Sequence, residues 1–264
     1  MLVHFDGQHL LEDLLPIVDR AGDMVCEAAK KTKKIQYKGR IDLVTETDLA
    51  VETMLKEALG TLLPGSDFLA EETANATIPG ECTWIIDPID GTTNFAHGLP
   101  FVANSIGLWH KDQMILGVIN LPLLGEVFTA VKGGGAFMNG QPIAVSSTSD
   151  LEHALLATGF PYDIETHLET VLSHLKAVLP VTQGLRRPGA AALDLAYIAC
   201  GRYDGFFESA LNPWDTAAGI LLVEEAGGRI SEFAADTPYS LGAPSILATN
   251  TLLHEKISSL LCQD

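Results

Sequence analysis

Positive charge is scarce in this chain: 16 Lys and Arg stand against 34 Asp and Glu over 264 residues, a formal net charge of −18. Nonspecific nucleic-acid binding relies on clustered Lys and Arg that neutralise phosphates, so this balance argues against it while leaving room for a local phosphate pocket. Cysteine is scarce too. Cys26, Cys82, Cys200 and Cys262 are scattered without metal-type pairs, which reads as reduced thiols rather than a disulfide framework. No apolar run approaches the roughly 20 residues of a membrane span, and the amino terminus lacks a basic stretch followed by an apolar one. The expectation is a cytoplasmic protein with no membrane partner. Repeats and low-complexity tracts are absent, and Gly133-Gly134-Gly135 lacks the spacing and Lys-Ser/Thr ending of a phosphate loop, so it reads as a turn.

What is present centres on Trp84 to Phe95, Trp-Ile-Ile-Asp-Pro-Ile-Asp-Gly-Thr-Thr-Asn-Phe. The apolar run Trp84-Ile85-Ile86 reads as a buried strand that stops at Asp87-Pro88, because proline cannot donate to a ladder. Gly91 permits a tight turn, and Thr92-Thr93-Asn94 then opens a short helix whose unpaired N–H groups face the same spot as Asp87 and Asp90. Phosphate and aspartates repel one another unless cations intervene. Mg²⁺ ions bridging carboxylate and phosphate oxygens resolve that conflict and favour attack by water, so the segment reads as a metal-dependent phosphate site.

Around it, helical spacing from His9 to Lys31 predicts an amphipathic helix with Pro16 near its start or at a kink. The basic cluster Lys30 to Arg40 reads as a solvated loop. A second helix is expected over Asp48 to Leu62, with Asp48 or Thr47 as its cap. A short strand at Asp67 to Ala70 delivers Glu71-Glu72, of which one faces a metal and the other supports it. Phe101 to Trp109, Met114 to Leu121 and Glu126 to Val131 read as an antiparallel meander, followed by an Asn139-Gly140 hairpin turn and a strand over Gln141 to Ser146. Thr166-His167-Leu168-Glu169 reads as a capping box opening a helix closed by Pro180, and Ala190 to Cys200 as a helix ended by Gly201. A strand over Tyr203 to Glu208 precedes Asn212-Pro213, which caps a helix from Trp214 to Ala226 with Asp215 in its first turn. Strands near Arg229 to Glu232 and Ile246 to Thr249 and a helix from Thr251 complete an alternating pattern, with a boundary expected near 140–150.

The carboxylates singled out are thus Asp48, Glu71, Asp87, Asp90 and Asp215, each at the end of an element. With Gly91-Thr92-Thr93 they resemble the inositol monophosphatase family. The two segments that carry the likeness are Trp84 to Phe95 and Trp214-Asp215-Thr216-Ala217-Ala218-Gly219, with Glu224-Glu225-Ala226-Gly227-Gly228 beyond. Similarity extends over almost the whole chain, through Leu43 to Asp48, Glu71-Glu72-Thr73 and Gly189 to Leu195. Ala157 to Pro161 and Arg186-Arg187 resemble the bacterial branch most.

The resemblance implies an α+β fold, the layered αβαβα sandwich of the inositol monophosphatase and fructose-1,6-bisphosphatase type. An N-terminal α+β domain would occupy 1–145 and a C-terminal α/β domain 146–264, with the site between them. It implies one Mg²⁺ held by Glu71, Asp87 and the Ile89 carbonyl, a second held by Asp87, Asp90 and Asp215, and a weaker third near Glu71; all-oxygen ligands suit Mg²⁺ or Mn²⁺. Thr92, linked to Asp48, would orient and help deprotonate the attacking water, and the amides of Gly91 to Thr93 would cradle phosphate. Glu208 and the turn of Gly189, Ala190 and Ala191 would face the substrate's hydroxyls, and Arg186 would reach substrate or a partner subunit. Glu208 also reads as a strand-end surface acid. Pro188 and Ala190, the latter where the bacterial branch commonly has serine, bear on substrate choice, and Lys38 matches only after a one-residue gap. Homodimers and inhibition by Li⁺ are further family expectations.

A haloacid-dehalogenase-type phosphatase also places two aspartates before Gly-Thr, but two residues apart; here they are three apart. Within the family, substrates include inositol monophosphates, fructose 1,6-bisphosphate, histidinol phosphate and 3′-phosphoadenosine compounds, and overall similarity favours the first. Some bacterial relatives are partners of the transcription antitermination machinery, a role that only Arg186-Arg187 and the basic loop of this acidic chain are suited to serve.

Overall fold

A computed structural model of the chain describes residues 7–31, 35–37, 43–74 and 78–262. Lys38 and most of the basic segment up to Arg40 lie outside the described residues. Chain order is α1 (Gly7–Ala29), β1 (Ile35–Tyr37), β2 (Leu43–Thr45), α2 (Glu46–Leu62), β3 (Asp67–Ala70), β4 (Cys82–Asp90), α3 (Thr92–His97), β5 (Ala103–His110), β6 (Gln113–Leu121), β7 (Glu126–Val131), β8 (Gly135–Met138) and β9 (Gln141–Pro142). After a single 3₁₀ turn at Leu151–His153 come β10 (Leu155–Thr158), α4 (Ile164–Val178), β11 (Gly184–Arg186), α5 (Ala191–Ala199), β12 (Gly205–Ser209), α6 (Pro213–Glu225), β13 (Arg229–Ser231), β14 (Ser245–Thr249) and α7 (His254–Leu261).

Among the described residues, β3 to β9 form a seven-stranded sheet in sequence order, parallel between β3 and β4 and antiparallel beyond. A five-stranded sheet has the order β11-β10-β12-β14-β13, parallel at β11-β10-β12 and antiparallel at β14. Helices α1 and α2 pack one face of the larger sheet around buried Leu14, Val18, Leu55, Trp84 and Ile106. Helices α5 and α6 fill the space between the sheets, and α4 and α7 cover the outer face of the smaller one. The layers therefore run αβαβα, as the resemblance implies. Among the described residues no helix is long and apolar enough to cross a membrane.

Local expectations and structure part company at several places, among them the last helix, which begins at His254 and not at Thr251. Pro16 lies inside α1, which begins at Gly7, and not near its start. The cap of α2 is Thr45 rather than Thr47 or Asp48. The strand carrying the first motif does not stop at Asp87 but runs to Asp90 across a register shift. Helix α4 begins at Ile164 with Asp163 as its cap residue, so Thr166 lies within its first turn rather than before it. The strand expected over Gln141 to Ser146 is only Gln141–Pro142, while β10 and β11, short parallel strands, had no clear local signal. A three-residue parallel strand is specified by its neighbours more than by its own alternation.

From Ala217 to Val223 helix α6 is apolar on every side, as the middle of a helix between two sheets must be. Its small residues let it approach closely: a Cβ added at Gly117 on β6 would lie 2.7 Å from the Ala218 carbonyl oxygen, and one at Gly107 on β5 would lie 3.3 Å from Ala218's neighbour Ala217. That contact sets the depth at which Asp215, in the helix's first turn, enters the cleft. Gly117→Val is expected to destabilise the protein by about 1–3 kcal/mol through overpacking and to lower activity beyond what its folded fraction explains. Urea denaturation beside turnover at low temperature checks it; unchanged stability would show that α6 tolerates displacement.

Candidate active site

The site grows from the end of β4. Trp84, Ile85 and Ile86 are fully buried and anchor the strand, but between Asp87 and Asp90 its register against β5 shifts, leaving Pro88 and Ile89 without cross-strand partners. Proline is tolerated at such a bulge because no ladder donor is needed there. The Ile89 N–H folds back to donate to Asp87 Oδ1 at 3.0 Å. Gly91 follows with φ of 85°, and a Cβ there would meet the Phe101 carbonyl oxygen at 2.6 Å, so the turn into α3 needs glycine on both counts. Asn94 ties α3 down: its Nδ2 lies 2.8 Å from the Phe101 carbonyl, 2.9 Å from that of Pro188 and 3.2 Å from that of Gly189.

Two acids enter from helix starts by the same device. Asp48, in the first turn of α2, accepts the Thr45 N–H on Oδ2 at 3.0 Å, together with the Thr45 hydroxyl. Asp215, in the first turn of α6, accepts the Asn212 N–H on Oδ2 at 2.7 Å. In each case one oxygen closes the helix start and the other is left for the site. Asp48 Oδ1 lies 3.0 Å from Thr92 Oγ, which is also 3.0 Å from the Ile89 carbonyl. Asp90 instead reaches across to α5, accepting the Ala192 N–H on Oδ2 at 2.8 Å; Ala190 has no side-chain donor or acceptor, so Asp90 stands in as the cap of that helix.

Burial pushes the Asp87 carboxyl well above its ordinary value, with Glu71, Asp90 and Asp215 adding to the rise. Asp215 is raised in the same way, by burial and then Asp90. Asp90 is pushed up to about 7 by burial, against the α5 amides that favour its charged form. Asp48 is raised by burial, opposed by Thr45 and Thr92. Glu71, Asp87, Asp90 and Asp215 thus feel one another as like charges, though among the described residues no three acidic, His or Cys side chains converge into a preassembled metal cage. Carboxylates with nothing between them repel, and an all-oxygen set raised by burial and then by mutual repulsion fits a hard divalent cation.

A cleft of about 310 Å³ opens above these groups. Of the residues singled out from sequence, Asp90, Gly91, Thr92, Thr93, Gly189, Ala190, Ala191, Glu208 and Asp215 line it. Asp48 and Asp87 are buried beneath, and Ile89, Glu71 and Arg186 are not on its wall. Arg187 is on the wall, packed over the Phe160 ring with its guanidinium 5.2 Å from the centroid, whereas Arg186 donates to its own neighbour Leu185. The arginine facing the cleft is therefore Arg187, not Arg186. Glu208 is no surface acid: it is buried and pushed up to about 8, with Arg187 partly offsetting the burial. Its carboxylate lies against Gly159, where a Cβ would sit 2.1 Å from either oxygen.

Sequence reasoning missed Glu52, a buried acid on α2 that accepts the Glu72 N–H at 2.8 Å and the Thr73 hydroxyl at 2.5 Å. Lys56 one turn on donates to Thr73 at 2.7 Å. This pair holds the turn that carries Glu71. The available signal was spacing: Glu52 falls one turn after Asp48 and so shares its helix face.

With that geometry in place, the comparisons with known proteins are direct. The profile of the inositol monophosphatase family matches residues 7–264. An inositol-1-monophosphatase of Synechocystis sp. is 42% identical over 258 residues, 97% of this chain and 90% of that protein. A Nus factor SuhB of Pseudomonas aeruginosa is 40% identical over 251 residues, 92% of each chain. The crystal structure of the extragenic suppressor protein suhB of Bartonella henselae superposes with a TM-score of 0.91 at 36% identity, covering 97% of this chain and 99% of that one. Fold and relatives define a phosphatase built as a layered αβαβα sandwich. The chain belongs to the inositol monophosphatase family.

The raised carboxyls give a stability test with a definite sign. An acid whose folded value lies above its unfolded one stabilises the fold while protonated, and that contribution is lost as pH rises through the folded value. Asp90 and Glu208 lose theirs near 7 and 8. The buried His254, depressed to about 4 by burial, acts oppositely but only below its ordinary 6.5. Chelator-treated protein is therefore expected to melt at a lower temperature at about pH 8.5 than at pH 6.5, with added Mg²⁺ raising the melting temperature more at the higher pH. A flat or rising profile in chelator would show that these acids are not strained in the fold.

Proposed function

We propose that the chain hydrolyses inositol monophosphate to inositol and inorganic phosphate with divalent cations, Mg²⁺ first and Mn²⁺ as a substitute. The observation that carries this reading is the set of acids at and beneath the cleft floor, where Asp90 and Asp215 line the cleft beside the Gly91 turn and, with Glu71, raise the buried Asp87. Glu71, Asp87 and the Ile89 carbonyl would hold one ion, Asp87, Asp90 and Asp215 a second, and a third would bind more weakly near Glu71. Bound there, the ions supply Lewis acidity, lowering the pKa of water and neutralising the leaving alkoxide.

The chain's own residues do the rest. Thr92 Oγ, donating its hydrogen to Asp48 Oδ1, presents a lone pair to the attacking water and passes a proton toward the aspartate. Burial raises Asp48 and so makes it a better base than an exposed aspartate. The amides at Gly91 to Thr93 orient the phosphate. Glu208, neutral over most of the physiological range, offers a substrate hydroxyl both a donor and an acceptor, and Arg187 closes that side.

Phosphate release from inositol 1-phosphate, fructose 1,6-bisphosphate, histidinol phosphate and 3′-phosphoadenosine 5′-phosphate, each with Mg²⁺ or chelator, tests the reading. A Mg²⁺-dependent preference for the first supports it; a preference for another sugar or nucleotide phosphate keeps the chemistry and moves the substrate. Asp87→Asn is expected to lower kcat/KM by on the order of 10³ while raising the melting temperature of the metal-free protein, because it removes both a ligand and a source of repulsion. Retained activity with an ordinary metal dependence would rule out the assignment. Arg187→Ala should raise KM by about tenfold with Arg186→Ala near wild type; the reverse order would return the substrate role to Arg186.

A second reading has one observation behind it, the 40% identity to a protein named a Nus factor. Serving as a partner of transcription antitermination would leave catalysis intact, and the net charge of −18 favours protein over RNA contacts. Pull-down with purified transcription factors, with and without RNA, separates the two.

A further inference from the structure

The face of the seven-stranded sheet turned toward α1 and α2 is apolar along β5 and β6, with Ile106, Leu108, Leu116 and Val118 fully buried. Two amides interrupt it. Asn104 is completely buried and Asn120 is 5% exposed, and they are direct cross-strand partners. Asn120 Nδ2 donates to Asn104 Oδ1 at 3.2 Å and lies 3.4 Å from the Val18 carbonyl of α1. Asn104 Nδ2 in turn donates to the Pro88 carbonyl at 2.6 Å. Helix α1 meets the amide at Gly22, where a Cβ would lie 2.5 Å from Asn120 Nδ2.

Burying two amides in an apolar layer costs free energy unless they satisfy something that hydrocarbon cannot. What they satisfy is the bulge. Pro88 and Ile89 have no cross-strand partners in β5, so the Pro88 carbonyl has lost its ladder donor at the point that sets the spacing of Asp87 and Asp90. We propose that Asn104 and Asn120 are positioning residues for the cation site: their relay from α1 clamps the Pro88 carbonyl and so fixes the two aspartates relative to each other. This rests on the reading that those aspartates hold divalent cations. The asparagines act through the backbone of the bulge, as hydrogen-bond partners outside a ligand shell do elsewhere.

The test measures Mn²⁺ binding to metal-free protein by electron paramagnetic resonance, beside urea denaturation of the same samples. Asn104→Leu, which leaves the Pro88 carbonyl without its donor, is expected to weaken Mn²⁺ by about 10-fold or more. Asn120→Leu should weaken it less, and the double variant no more than Asn104→Leu alone, since the two act in series. Leu116→Ala, on the same face without a part in the relay, should lose stability yet keep Mn²⁺ affinity within about 2-fold. Should Asn104→Leu not fold, Asn120→Leu and Gly22→Ala leave Asn104 in place and carry the same expectation. Wild-type affinity in the relay variants, or an equal loss in Leu116→Ala, overturns the proposal while leaving the cation reading standing. Failure of the unmodified protein to bind Mn²⁺ overturns both.

Discussion

Like charges held close together out of water are the constraint on which the rest of this structure depends. Burial raises Asp87 and Asp215, and Glu71 and Asp90 raise both further; left to themselves such groups would turn away from one another or take up protons. The chain prevents the first by giving acids a backbone donor. Asp87 accepts from Ile89, Asp90 from Ala192, Asp215 from Asn212, and Asp48 behind them from Thr45. One oxygen of each is thereby fixed, and the other oxygen of Asp48 accepts from Thr92. A hydrogen bond from an amide to a carboxylate is among the stronger ones a protein can make, so the orientation survives the repulsion.

These same bonds hold the halves of the molecule together. Asp90 sits on β4 of the larger sheet, and its partner Ala192 opens α5 in the layer between the sheets. Asn94 on α3 spans to the carbonyls of Pro188 and Gly189, and Ser105 on β5 donates to the Trp214 carbonyl at the start of α6. The site and the packing of the layers are thus one set of interactions. The small residues of α6 belong to that set, because a bulkier face would hold Asp215 away from β4.

How much of this could be read from the chain follows the range of each interaction. Asp87, Asp90 and Gly91 announce themselves within four residues, since a proline, a glycine and an apolar run are local signals. The Asn212-Pro213 start of α6 is local in the same way. Asn104 is not: a polar residue in an alternating strand looks like the solvent side, and only the bulge on the neighbouring strand shows what it bonds. Glu52 looks like a solvated helix charge until the turn at Glu72 is folded over it. Arg186 and Arg187 differ by one position at the end of a short strand, where one-residue steps exchange faces, and no local pattern chooses between them. The cap of α2 is ambiguous in sequence because Asp48 fits both as a cap and as the third helical residue answering Thr45.

The far wall of the cleft differs from its floor in carrying a counter-charge. Glu208 and, behind it, the buried Asp194 are also raised by burial, and both share the positive charge of Arg187. The charged neighbours that act on Asp87 and Asp215 are other carboxylates, which add to the rise, so floor and wall are both costly to ionise, but at the wall Arg187 offsets part of that cost. A neutral carboxyl donates as well as accepts, which suits hydroxyl groups and not phosphate or metal. A phosphate ester bound as proposed would therefore place its charged group at the floor and its hydroxyl groups against Glu208.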